Sequence, residues 1–192
     1  SAIIYVNSVI GARTNREGGP TALAAAVCGC VPAYGYHLDE NRKATHLVTD
    51  DYDVKTVRDF AVLGYYVGQK VGNKVPVFSG IKERPVCEQY KALGAALASS
   101  GGIALYHVEG FTPEAPAKES VLSAEYETVY FGKDEYREVE NFFTLKAPAD
   151  LVVIGCPHCT INEVAEIAAA LSGKQVKTDM WVCLPHQIYA LS

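Results

Sequence analysis

The chain has 192 residues, 49% of them apolar and 20% charged, with a formal net charge of −5. It is long enough to bury a core as one domain or two small ones, and its acidic balance, without a basic run, argues against a general nucleic-acid binder. No apolar stretch approaches the roughly 20 residues that span a bilayer, and the opening run lacks the charged start of a signal peptide, so no membrane partner, a cytoplasmic address and a small-molecule substrate are expected.

In chain order, short apolar runs alternate with longer helical patterns, the signature of βαβ units. Strands are predicted over Ala2 to Val6, Thr45 to Val48, Val75 to Phe78, Ile103 to His107, Leu151 to Ile154 and Gln175 to Cys183. Helices are predicted over Thr21 to Cys28, Val54 to Val71, Val86 to Ser99, Lys133 to Phe142, Asn162 to Leu171 and from His186 onward. The fold class is therefore α/β, a mainly parallel sheet with helices on both faces. The alternation breaks between Gly110 and Asp150. This suggests an α/β region over 1–110, an insertion or junction over 111–149, and a βα unit over 150–192. The chain opens without an initiator methionine and stops in a helical pattern, so it is expected to be a piece of a longer polypeptide.

Two constellations carry chemistry. The first is Asn7-Ser-Val-Ile-Gly-Ala-Arg-Thr-Asn-Arg-Glu-Gly-Gly-Pro, which the strand and helix assignments place on the carboxyl edge of a strand and the amino end of a helix. Open α/β sheets bind ligands there, and free N–H groups at a helix start favour anions. Arg13 and Arg16 could grip a carboxylate or phosphate with two prongs; Asn7, Ser8, Thr14 and Asn15 offer neutral donors. The same stretch also reads as a solvated loop whose arginines pair with Glu17, Asp39 or Glu40. It is not a Walker A loop, because no Gly-Lys-Ser/Thr follows. The polar run from His37 to Arg42 adds His37 as a candidate contact.

The second constellation is Gly155-Cys-Pro-His-Cys159 between an apolar strand and a helix. A thiol there faces a helix amino end, which favours the thiolate as nucleophile or iron ligand. Cys156 and Cys159 fit a thiol–disulfide exchanger, fit part of a metal site completed elsewhere, or are two buried thiols. Cys28, Cys30, Cys87 and Cys183 sit in apolar settings and read as buried small hydrophobes. His46, His107 and His186 read as structural.

The Asn7 block, Tyr36-His-Leu-Asp-Glu-Asn-Arg42 and Asp150-Leu-Val-Val-Ile-Gly-Cys-Pro-His-Cys159, in that order, resemble the large subunit of the aconitase X family. The form Asn15-Arg-Glu-Gly-Gly-Pro20 resembles its archaeal phosphomevalonate dehydratase branch more than the cis-3-hydroxyproline dehydratases. The resemblance implies a hydro-lyase of the mevalonate pathway for isoprenoids, converting mevalonate 5-phosphate to trans-anhydromevalonate 5-phosphate. It implies an iron–sulfur centre, [4Fe-4S] or another iron centre, held by three cysteines of which only Cys156 lies here. It also implies a small swivelling subunit whose serine is the base, and a fragment inactive by itself.

Overall fold

The computed structural model describes residues 2–192, which divide into two compact units, the first ending at Asn141 and the second spanning Phe142–Ser192.

Unit 1 is built on a four-stranded sheet in the order β3-β2-β1-β4, with every neighbouring pair parallel. Its strands are β1 (Ala44–Asp50), β2 (Pro76–Ser79), β3 (His107–Val108) and β4 (Leu122–Phe131). Leu47 and Val48 stand beside Val77 and Phe78 in register. Successive side chains point to opposite faces, so Val48, Phe78 and Val108 enter one core while Leu47 and Val77 enter another.

The first core is closed by helices α1 (Ala2–Tyr5), α3 (Val57–Val71), α4 (Cys87–Gly101) and α5 (Lys133–Phe143), through residues such as Ile4, Phe60, Leu63, Leu93, Leu97 and Tyr136. The second is closed by Tyr36, Ala115 and Val121, from segments outside the α-helices. The start of α3 is fixed chemically. Thr56 accepts from the Asp59 backbone N–H at 3.1 Å while the Asp59 carboxylate accepts from Thr56 N–H at 2.7 Å, a capping box. Gly64 and Gly68 let α4 come close: a Cβ on Gly64 would lie 2.7 Å from the Leu93 carbonyl oxygen.

Several elements differ from the sequence expectation: the strand expected over Ile103 to His107 is confined to His107–Val108 and that over Gln175 to Cys183 to Asp179–Val182. The run Ala2–Val6 is helical, continuing as a wide turn over Val6–Ile10 that ends at Gly11 with φ +76°. Ile4, Asn7 and Ser8 are its buried residues, an i, i+3, i+4 set that a strand could not place on one side. Within the expected 111–149 junction, β4 pairs with β1 from Ala44 to Asp50. It therefore belongs to the sheet of unit 1.

Unit 2 holds the parallel pair β5 (Leu151–Ile154) and β6 (Asp179–Val182), with α6 (Ile161–Leu171) between them and α7 (His186–Tyr189) after them. Thr160 and Glu163 form a second capping box at the start of α6. In unit 1, α2 (Gly19–Cys28) has no buried residue.

Candidate functional site

The stretch from Asn7 to Pro20 leaves a helix, not a strand, and it lies toward the amino ends of the strands. Asn7 is fully buried; its Nδ2 donates to the Thr14 and Ala104 carbonyls, each at 2.9 Å, and its Oδ1 accepts from Thr14 N–H at 3.0 Å. Ser8 Oγ accepts from Tyr106 N–H at 2.9 Å. Both residues bind the loop to the approach to β3, and the expected carboxyl-edge position is corrected accordingly. The Asn7 amide and the Ser8 oxygen are thus engaged with backbone, because a polar group removed from water must find a partner.

Glu17 is the centre of the loop. Its carboxylate accepts from the Thr14 hydroxyl, from Asn15 N–H at 2.8 Å, and lies 2.7 Å from His37 Nε2. Burial pushes this carboxyl up, but the bonds from Thr14, its own backbone, His37 and Asn15 outweigh burial and hold it at about 2. A depressed carboxyl contributes stability that is full above the ordinary glutamate range and is lost as pH falls through the folded value. The Tm gap between wild type and Glu17→Gln is therefore expected to be widest near neutrality and to close as pH falls from about 4.5 to about 2. A gap of equal size at both ends, read by thermal melts of the full-length polypeptide, would count against this.

Asn15 joins the loop to the next segment. Its Nδ2 donates to the Tyr34 carbonyl at 2.9 Å and its Oδ1 accepts from Tyr36 N–H at 2.5 Å. Only glycine fits between: Gly35 has φ +56°, and a Cβ there would lie 2.3 Å from Asn15 Oδ1. Gly35→Ala is expected to lose about 1–3 kcal/mol. Gly29→Ala, at φ +66° with nothing within 4 Å of its Cβ, isolates the backbone contribution and should lose less. Equal losses in urea titrations would refute the steric explanation.

Arg13 donates to the His37 carbonyl at 2.7 Å and pairs with the exposed Asp39 carboxylate. Arg16 donates through Nη2 to the Gly102 carbonyl, and it is the non-glycine residue held at positive φ (+63°) among the described residues. That conformation is strained for a side chain with a Cβ, and such strain gathers at functional sites.

Arg42, only 2% exposed, organises the whole region and was not singled out from sequence. Its Nε donates to both Glu114 oxygens at 2.9 Å, its Nη1 to the Tyr36 carbonyl at 3.1 Å and its Nη2 to the Asn7 and Ala12 carbonyls at 3.0 and 3.3 Å. His107, buried beneath it, bonds the Arg42 carbonyl at 2.8 Å, and burial pushes its pKa down. A cavity of about 650 Å³ opens beside this region, lined among others by Asn15, Tyr34, Asn41, Lys43 and Lys74.

In unit 2, Cys156 is exposed on the turn leaving β5, while Cys159 is buried, with its N–H donating to the Cys183 carbonyl at 2.9 Å. Gly155, at φ +113°, permits this turn because a Cβ there would lie 2.2 Å from that same carbonyl oxygen. Thr160 and Glu163 occupy the N–H groups at the start of α6. Cys156 stands four residues ahead of the Thr160 cap. Cys28, Cys30 and Cys87 are exposed and Cys183 half-buried, contrary to their reading as buried hydrophobes.

Among the described residues no group of three His, Cys, Asp or Glu side chains could hold a metal ion, and no helix is long and apolar enough to cross a membrane. The residues present fit an iron–sulfur centre in one respect, an accessible thiol at Cys156 that could serve as a ligand; further ligands would have to come from outside these residues.

Family models for aconitase X match almost the entire chain: the first domain over residues 1–40, the second over 44–141 and the third over 149–192. The phosphomevalonate dehydratase large subunit of Methanocaldococcus jannaschii is 45% identical over 201 residues, covering 100% of this chain and 49% of that protein. A cis-3-hydroxy-L-proline dehydratase of Pseudomonas aeruginosa is 35% identical over 184 residues, covering 91% of this chain and 31% of that protein. The crystal structure of Thermococcus kodakaraensis aconitase X in its holo-form matches with a TM-score of 0.86 and 44% identity, over 99% of this chain and 49% of that one. The chain spans about half the length of the phosphomevalonate dehydratase large subunits of this kind. It belongs to the aconitase X family.

Proposed function

We propose that the chain forms half of the large subunit of an iron–sulfur hydro-lyase that dehydrates mevalonate 5-phosphate to trans-anhydromevalonate 5-phosphate together with a small subunit in the cytoplasm. The observation that carries this reading is the 45% identity, over the full chain, to a phosphomevalonate dehydratase large subunit, against 35% for a hydroxyproline dehydratase. When bound, the cluster supplies a Lewis acid for the leaving hydroxyl. The dehydration removes a proton from the carbon next to the carboxylate and the hydroxyl from the neighbouring carbon, leaving one double bond and one water.

The chain's own residues would bind and orient. Arg16 spends one donor and Arg13 two on their protein partners, so each keeps N–H groups for the carboxylate or phosphate. Thr14, Asn15 and His37 shape the rim through Glu17 and the Tyr34–Tyr36 backbone, while Asn7 and Ser8 hold the loop in place. Cys156 would be one cluster ligand.

The test is anaerobic reconstitution of the full-length polypeptide with iron, sulfide and its small subunit, then assay on mevalonate 5-phosphate and on cis-3-hydroxyproline. Turnover of the phosphate alone supports the proposal; turnover of hydroxyproline alone refutes the substrate. In the same preparation, Arg13→Lys and Arg16→Lys keep the charge but lose the planar fork. Each is expected to lower kcat/KM about tenfold for every 1.4 kcal/mol by which transition-state binding weakens. Tm should stay nearly unchanged, since both arginines are exposed and an exposed ion pair such as Arg13 makes with Asp39 is worth only about 0–1 kcal/mol. Unchanged kinetics in both would remove the substrate-binding role.

A further inference from the structure

From Gly18 to Tyr34 no residue carries a charge, and every residue except Ala25 is exposed. Helix α2 lies within this stretch with no buried residue, and Leu23 and Val27, one turn apart on the same side, are 67% and 80% exposed. Val31 at 57% and Tyr34 at 72% extend the apolar surface beyond the helix. A ten-residue helix with a charge-free surface on all sides gains nothing from water and is too short to persist on propensity alone. It needs cover.

We infer that α2 and the Val31–Tyr34 segment are the docking surface for the half of the same polypeptide that the relatives carry and this chain does not. One observation chooses this occupant. The matched subunits are about twice as long as this chain, so tethered chain of the right order exists to cover the helix. A tethered segment docks at high effective concentration and needs less area than a separate subunit or a second copy.

The experiment places a photo-reactive phenylalanine analogue at position 23 or 27 of the full-length polypeptide and maps cross-linked peptides by mass spectrometry, without and with the small subunit. Cross-links to the same polypeptide outside residues 1–192, already present without the small subunit, are expected. Cross-links confined to residues 1–192, to the small subunit or to a second copy overturn the inference, as does the absence of any cross-link. A second measurement uses Val27→Glu, which buries a charge if the helix is covered and is expected to lower the Tm of the full-length polypeptide by roughly 5 °C or more. An unchanged Tm overturns it too.

Discussion

Arg42→Ala is expected to destabilise the protein by about 3–5 kcal/mol, the range for breaking a buried ion pair by removing one partner. The substitution leaves the Glu114 carboxylate without its cation and strips a donor from the Asn7, Ala12 and Tyr36 carbonyls. Each orphaned group keeps its desolvation penalty, which exceeds the net worth of the bond that satisfied it. Against a total stability of roughly 5–15 kcal/mol this is a large fraction. Urea unfolding should show a lower midpoint at an unchanged slope. A double-mutant cycle with Glu114→Gln should return a coupling of about 0.5–3 kcal/mol, as for side chains in one network. A single-variant loss under about 1 kcal/mol would mean that solvent or neighbouring groups replace the guanidinium, and the organising role assigned to Arg42 would fall.

The second large effect separates the two cysteines of one turn. In the reconstituted full-length enzyme, Cys156→Ser should reduce bound iron and turnover to background, because the exposed thiol on the β5 exit is the proposed ligand. Cys159→Ser should retain iron. It should instead lose about 1–3 kcal/mol of stability, since the new hydroxyl sits at a position only 3% exposed. Iron content and thermal midpoint measured on both variants distinguish ligand from core. Full loss of iron in a folded Cys159→Ser protein, with iron kept in Cys156→Ser, would reverse the assignment. The pairing also bears on the thiol–disulfide reading. A redox pair needs both thiols engaged in exchange, so Cys159→Ser would abolish that activity while sparing a dehydratase.

Much of the fold was legible because its strands are short, apolar and covered. Predicted strands at Thr45, Val75 and Leu151 lie within β1, β2 and β5 or overlap them. The starts of α3 and α6 follow from Thr56 with Asp59 and Thr160 with Glu163, where local chemistry fixes the boundary. Ala2–Val6 misled because a short apolar run has no period that separates strand from helix; what decides it is that Ile4, Asn7 and Ser8 all find partners in unit 1. Strand β4 was missed because its middle is solvent-facing and acidic, with Glu125 and Glu127 exposed. Charges of that kind protect a sheet edge from pairing with other chains, and they also mask the strand.

The site was legible as composition but not as wiring. Arginines, amides and a glutamate in one loop announced a polar cluster, and the possible partners of Arg13 included Asp39, which it does contact. Arg42 was read only as the end of a polar run, and its organising role was missed because its partners lie 35 and 72 positions away at Asn7 and Glu114. No local pattern encodes that distance.

The same long reach has a consequence for synthesis. Asn7 bonds the Ala104 carbonyl and Ser8 bonds Tyr106 N–H, sequence separations of 97 and 98 residues. At translation rates of about 5–20 residues per second, the Ile3–Ile4–Tyr5 segment therefore waits roughly 5–20 s after it is made before its seat exists. During that interval an apolar helix with no partner is available to holding chaperones. The loop from Gly11 to Gly18, anchored at its near end by this helix, takes its shape only after the Ala104–Tyr106 segment is made. The sheet and the α3–α4 pair can form without it, so lesions in the loop should speed unfolding more than they slow folding.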